Sequence, residues 1–245
     1  MTDDALLFAA SDATWPAAEY IPHGPWMLRR GQGGGKRVSA ATAIGPITPD
    51  AIDDAARAMR GLQQTPLFMI RKGEDALDAA LQARGYGVVD PVTVLTCPIE
   101  NLTSQPIPPV TTFTIWEPLA IMAEIWAQGG VGPARLDVMR RAAVKTSLLA
   151  RWNQKPAGTG FVAVDGPVAM VHAVEVLPNQ RGQGVAQWIM RQAAFWAAEQ
   201  GATTMSVLCT KANAPGQALY QRLGFTPAAA YHYRRKTSDG DPRHG

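Results

Sequence analysis

Two cysteines in 245 residues, Cys97 and Cys209, far apart in the chain, are too few for a disulfide framework or a Cys-based zinc site. No ligand cluster suggests another metal, so none is expected. No signal peptide is expected: the first ten residues carry Asp3 and Asp4 where a signal peptide would carry positive charge, and no apolar run reaches the length of a membrane span. Nor is there a basic stripe of the kind nucleic acid needs. The 23 Lys and Arg are scattered among 20 Asp and Glu, for a net charge of +3. The expectation is a cytoplasmic protein in a reducing compartment, with neither nucleic acid nor membrane as partner. A homodimer is compatible with the sequence. At 47% hydrophobic and 18% charged residues, the chain reads as globular, long enough for one large domain or two small ones.

The prolines at 106, 108 and 109 break any regular pattern between Ser104 and Thr112, and a linker is placed there. Before it, Trp26 to Arg30 and Arg37 to Ala43 read as two strands joined by the glycine-rich loop Gly31 to Lys36. Helix, strand, helix and strand follow, at Pro49 to Gly61, Leu67 to Arg71, Asp75 to Arg84 and Val88 to Thr96. After the linker come a strand at Thr111 to Trp116 and two helices between Pro118 and Lys145, interrupted at Gly129 to Pro133. Ser147 to Trp152, Gly160 to Val164 and Val168 to Leu177 read as antiparallel strands, the last two joined at Asp165-Gly166. A helix at Val185 to Glu199, a strand at Met205 to Thr210, a helix at Ala214 to Leu223 and a strand at Ala230 to Arg235 complete the pattern. The expected domains are 1–103, 110–237 and a flexible tail, 238–245.

The strand ending at Leu177 runs through Pro178-Asn179-Gln180-Arg181-Gly182-Gln183-Gly184-Val185-Ala186 into a helix with almost no spacer. Such a turn presents backbone N–H groups at the positive end of a helix dipole, which suits a pyrophosphate. Without a Cβ, Gly182 and Gly184 let the backbone come close to phosphate oxygens, and Arg181 adds a charge-assisted contact. Taken alone, the spacing is equally ordinary helix-entry chemistry. Gly31 to Lys36 is not a phosphate loop, because it lacks the Gly-Lys-Ser/Thr ending and leads into a strand. A second constellation runs from Asn213 to Phe225. Asn213 is a plausible N-cap, Pro215 sits in the first turn, and Leu219 and Leu223 form an apolar i, i+4 pair before Gly224. Tyr220 stands beside Leu219, where it reads either as a core residue or as a functional hydroxyl.

The two motifs together, in the order strand, Val176-x-Pro178-x-x-Arg181-Gly182-x-Gly184-x-Ala186, helix, strand, Asn213 to Phe225, resemble the GNAT N-acetyltransferase superfamily over roughly residues 111 to 236. The resemblance implies an α/β (α+β) fold with a mixed, mostly antiparallel sheet flanked by helices. It also implies acetyl-CoA as acetyl donor. Carried over, pyrophosphate binding falls on Arg181, Gly182, Gln183, Gly184, Val185 and Ala186, and the pantetheine arm on Val176 and Leu177. Asn213 would touch the cofactor arm, and Tyr220 would protonate the departing thiolate. The ending Tyr231-His232-Tyr233-Arg234 and the segment Trp26-Met27-Leu28-Arg29 also resemble a bacterial subgroup with an extra N-terminal region.

Acetyl transfer to an amine also needs a base. The strand before the loop offers His172, on the face of Val174 and Val176, and Glu175 on the opposite face by strict alternation. His172 reads equally as a core residue, Glu175 as an ion-pair partner, and Tyr231, His232 and Tyr233 are candidates for the acceptor site. Within the chain, Ala79 to Tyr86 lines up with Ala218 to Phe225, so that Leu81 stands where Tyr220 does. The first half then reads either as a degenerate copy with neither cofactor loop nor acid, shaping the acceptor pocket or extending the sheet, or as a chance likeness of two short amphipathic helices. The competing reading of the whole is an acyl-CoA-binding protein without catalysis.

Overall fold

The structure, a computed structural model, describes residues 3–236, so the expected tail at 238–245 lies outside the described residues. The chain opens with α1 (Asp4–Thr14), β1 (Glu19–His23), β2 (Trp26–Arg30), β3 (Thr42–Ala43), α2 (Pro49–Gly61), β4 (Phe68–Arg71), α3 (Asp75–Ala83) and β5 (Tyr86–Pro98). It continues through α4 (Glu100–Thr103), β6 (Thr112–Ile115), α5 (Ala120–Gln128), α6 (Pro133–Arg141), β7 (Val144–Trp152), β8 (Lys155–Asp165) and β9 (Val168–Val176). After a short 3-10 turn at Pro178–Gln180 come α7 (Val185–Glu199), β10 (Thr204–Thr210), α8 (Ala214–Arg222) and β11 (Thr226–Lys236).

Two compact units emerge, and they are not consecutive in sequence. Among the described residues the larger comprises those up to Pro16, Val94–Cys209 and Asn213–Ala228, and the smaller takes Ala17–Thr93, Thr210–Ala212 and Ala229–Lys236. A cut at 103/110 therefore differs from the units found. Helix α1 and the end of β5 belong with the later residues, while most of β11 belongs with the earlier ones.

In the larger unit the strand order is β5-β10-β9-β8-β7-β6, mixed and mostly antiparallel, with β9 and β10 parallel. Helix α7 lays Val185, Ile189, Met190 and Ala193 on one face of this sheet, against Leu148, Val162 and Val171. Burying such side chains stabilises by about 1.5–3 kcal/mol each relative to exposure. Helices α1 and α5 cover β8 and β9 as well.

The smaller unit holds a β1-β2-β3 sheet and the set β4-β11-β5, with α2 and α3 packed on a core of Trp26, Leu28, Ile52, Met59, Phe68 and Leu81. Here one expectation holds only in part. Of residues 37–43 only Thr42–Ala43 pair with β2, antiparallel at Trp26↔Ala43 and Met27↔Thr42, while the longer partner of β2 is β1, from Glu19↔Arg30 to His23↔Trp26. The loop's polar groups are taken up nearby: Gly31 N–H donates to Gln64 Oε1 at 2.6 Å, Ser39 Oγ to the Gly35 carbonyl at 3.0 Å, and Ala40 N–H to the Lys36 carbonyl at 2.9 Å. Only Thr42–Ala43 remains extended. β1 carries Pro22 and lies at the sheet edge, a position where a missing amide donor is tolerated.

Candidate functional site

The parallel pairing of β9 with β10 runs from Thr204↔Val168 to Val207↔Val171, whereas β9 continues to Val176 and β10 to Thr210. Beyond Val171 a cavity of about 510 Å³ lies against the end of β9, the start of α7 and one face of α8.

The loop between β9 and α7 has the local geometry that its glycines allow. Gly182 (φ 76°) and Gly184 (φ 78°) both adopt the left-handed backbone that disfavours a Cβ. Gly184 is the N-cap of α7 and supplies no side-chain cap. The first-turn N–H groups of α7 have no intrahelical acceptor, and no acidic residue occupies that turn. Arg181 and Arg222 line the same cavity. Donors, a helix N-terminus and two cations converge on a space free of competing carboxylate in the turn, an arrangement that fits a pyrophosphate. Arg181 also ties the loop to the strand, its Nε donating to the Val176 carbonyl at 3.1 Å.

Helix α8 begins at Asn213, whose Oδ1 accepts from Gly216 N–H at 3.0 Å. Tyr220 lies one helical face along, its ring 5.6 Å from that of Phe225. Burial, with Cys209 adding to it, pushes the Tyr220 hydroxyl above its ordinary range, so it keeps its proton at neutral pH.

A β-bulge changes the reading of β9. Phe161 pairs with His172 and Thr159 with Glu175, so two steps along β8 are matched by three along β9, with Ala173 at φ 49°. Because Phe161 and Thr159 share a face, His172 and Glu175 share it too. Val174 and Val176 pack with the core on the α7 side. The expected grouping of His172 with these valines, and of Glu175 opposite, is thereby corrected. Trp126 Nε1 donates to the Ala173 carbonyl at 2.7 Å and fixes the bulge to α5.

The two candidate bases then part company. His172 is buried at 5% exposure, its ring 5.1 Å from that of Trp15 and 6.2 Å from that of Phe161. Thr14 Oγ1 donates to the Ala10 carbonyl at 2.6 Å and lies 3.0 Å from His172 Nε2. With the single hydroxyl proton spent on Ala10, the histidine must donate at Nε2. Glu175 instead lines the cavity. Desolvation raises its carboxyl above the ordinary range, with Arg181 and Arg135 opposing. Its carboxylate rests against Gly129, where a Cβ would fall 2.2 Å from Glu175 Cδ.

Of the residues read from the sequence, Glu175, Val176, Arg181, Gly182, Gly184, Val185, Ala186, Asn213 and Tyr220 line this one cavity. His172, Leu177 and Gln183 are not among its lining residues. Leu177 lines a small neighbouring pocket with Glu175. Tyr231 and Tyr233 are buried in the smaller unit, and His232 Nε2 is 2.7 Å from Asp78 Oδ1 there. Sequence reasoning passed over Pro215, Leu219 and Arg222, which line the cavity at i, i+4 and i+7. That helical spacing was the available signal. Among the described residues no group of His, Cys, Asp and Glu could hold a metal ion, and no helix is long and apolar enough to cross a membrane.

Comparison with known proteins agrees with this geometry. Residues 115–225 match the acetyltransferase (GNAT) family. An uncharacterized N-acetyltransferase, YobR, of Bacillus subtilis (strain 168) is 26% identical over 246 residues, spanning 96% of this chain and all of that protein. Among solved structures, a GCN5-related N-acetyltransferase from Kribbella flavida superposes with a TM-score of 0.72 at 19% identity, covering all of both chains. A tandem GNAT protein from the clavulanic acid biosynthesis pathway reaches a TM-score of 0.59 at 13% identity, covering 82% of this chain and 76% of its own. The likeness to these two structures is one of fold. With the loop, the diverging parallel strands and the family match coinciding on one cavity, the chain carries a domain of the GNAT acetyltransferase family over residues 115–225.

Proposed function

We propose that the protein is an acetyl-CoA-dependent N-acetyltransferase that acetylates a primary amine of a small molecule or peptide by direct attack in a ternary complex. The observation that carries this reading is the meeting of Arg181, Gly182, Gly184, Val185, Ala186, Glu175 and Tyr220 at one cavity. When bound, acetyl-CoA supplies an acetyl group activated on sulfur. The amides that open α7, with Arg181 and Arg222, hold the pyrophosphate, while Val176 and Asn213 face the arm. Glu175, its carboxyl raised by burial, takes the proton that the acceptor ammonium must lose before it can attack. Tyr220 carries a hydroxyl held in its protonated form and gives that proton to the sulfur as the C–S bond breaks, and the second proton shed by the newly acylated nitrogen restores the hydroxyl. His172, behind Trp15 and Phe161, orders the sheet under the site. Two buried free thiols, Cys97 and Cys209, suit a reducing cytoplasm.

The test is Tyr220→Phe, which keeps the ring against Phe225 and removes only the proton donor. We expect kcat to fall roughly 10²-fold or more, the usual scale for a general acid, with the Kd for acetyl-CoA unchanged. An unchanged kcat would remove Tyr220 from the mechanism.

A further inference from the structure

The smaller unit repeats the construction of the cofactor cleft. In the larger unit the order is β7, β8, β9, α7, β10, α8, and in the smaller it is β1, β2, β3, α2, β4, α3. The parallel pairing of β9 with β10 has a counterpart in the parallel bridge Ala41↔Phe68 beside β3 and β4. Helices α8 and α3 match turn for turn: Asn213 and Glu74 are their N-caps, and Gly224 (φ 83°) and Gly85 (φ 79°) follow them in left-handed backbone. At the corresponding place, between the starts of α2 and α3, lies a second cavity of about 490 Å³.

Its chemistry is the reverse of the first. The first turns of α7 and α8 carry no acidic residue, whereas α2 has Asp50 and α3 has Asp75 and Asp78 in theirs. These carboxylates already answer the helix dipoles, and Pro49 withholds an amide at the start of α2. Among the described residues no Lys, Arg or His lines the cavity, where the first has Arg181 and Arg222. A phosphate meets no cation among the described lining residues and is repelled by the Glu74 carboxylate. The walls are instead apolar, from Ala43, Ile47, Ile52, Leu77 and Ala80, and among the described residues Glu74 is the one ionisable lining group. One Glu74 oxygen, Oε2, accepts from Arg71 N–H at 2.7 Å. Burial raises the Glu74 carboxyl, with the Arg71 backbone bond and the Arg71 and His232 charges opposing, and a cation paired with it favours its ionised form.

We infer that this second cleft binds an apolar primary amine, seating its hydrocarbon among Ile47, Ile52, Leu77 and Ala80 and its ammonium against Glu74. The site takes no part in acetyl transfer, and the inference stands independently of the proposed enzyme activity.

Calorimetric titration of the whole protein, with coenzyme A saturating the first cleft, tests it using phenethylamine, 3-phenylpropionate and inorganic pyrophosphate as probes. Phenethylamine should bind and the two anions should not. Glu74→Gln should weaken amine binding roughly tenfold or more, as loss of a charge-assisted bond does. Ala80→Trp should abolish it by filling the cavity, and Ala76→Phe, at an exposed lining position, gives the same reading should the first variant fold poorly. Absence of amine binding, anion binding of equal strength, or amine binding indifferent to these substitutions would overturn the inference.

Discussion

Glu175 shows how much one backbone irregularity decides. Strict alternation along Val168–Val176 puts it opposite His172, and residue type alone favours the histidine as base. The bulge at Ala173 places both on one face, and the aromatic rings of Trp15 and Phe161 then enclose the histidine, leaving Glu175 at the cavity. Nothing in the residues His172-Ala173-Val174 announces a bulge, because an alanine at positive φ is held there by a distant contact, Trp126 to the Ala173 carbonyl. The loop residues were legible, since glycine at 182 and 184 is written into the sequence by the conformation it permits. Gly129 was not legible as a partner of Glu175. It sits at φ −84°, where alanine is unstrained, so Gly129→Ala should leave the fold intact and displace only the mobile carboxylate end. We expect kcat to drop roughly 10- to 100-fold, the cost of misplacing a reacting group by about 1 Å, at constant acetyl-CoA affinity. Equal kcat in the two proteins would show that the position of Glu175 is immaterial.

Among the elements, those with strong periodicity or clear stops are where the sequence puts them. Pro49–Gly61 begins on a proline and Val185–Glu199 shows an unbroken apolar face. The elements that escaped reading owe their form to tertiary pairing. Helix α1 is short, capped by Asp3 accepting from Ala5 N–H at 3.2 Å, and its packing on β8 and β9 is a long-range event. β1, with Pro22, reads as a non-strand until an edge position excuses the missing donor. The end of β11 is likewise secured from afar. Arg234 Nε and Nη2 donate to Asp78 of α3 at 2.7 and 2.8 Å, and His232 Nε2 lies 2.7 Å from the same carboxylate. Chiefly through the Arg234 bonds, the Asp78 carboxyl falls from 3.8 to about 2. A folded-state value below the unfolded one adds stability that is full above about pH 4 and is lost as the pH falls towards about 2. Asp78 is 27% exposed on its side chain, so solvent trims the effect to on the order of 1–2 kcal/mol. Denaturant titrations of wild type and Asp78→Asn should therefore differ above pH 4 and converge near pH 2. A gap that stays constant across that window would contradict this assignment.

The whole molecule carries the same order of strands and helices twice, and the units do not follow the simple halves of the sequence. The internal comparison of Ala79–Tyr86 with Ala218–Phe225 was readable because both helices end in glycine and an aromatic residue. The assignment of α1 to the larger unit and of most of β11 to the smaller was not, since strand partners are set by pairing across long separations. The two clefts differ in their chemistry. Tyr220 stands at a cleft with arginines, and the matching Leu81 is fully buried beside a cleft with a glutamate. The central claim concerns the first of these clefts and is tested most directly by free-thiol release from acetyl-CoA against pooled polyamines, amino acids, aminoglycosides and peptide N-termini. The account predicts amine-dependent release in at least one pool, lost in Tyr220→Phe. Tight acetyl-CoA binding with no transfer to any pool would contradict it and mark the protein as an acyl-CoA binder without catalysis.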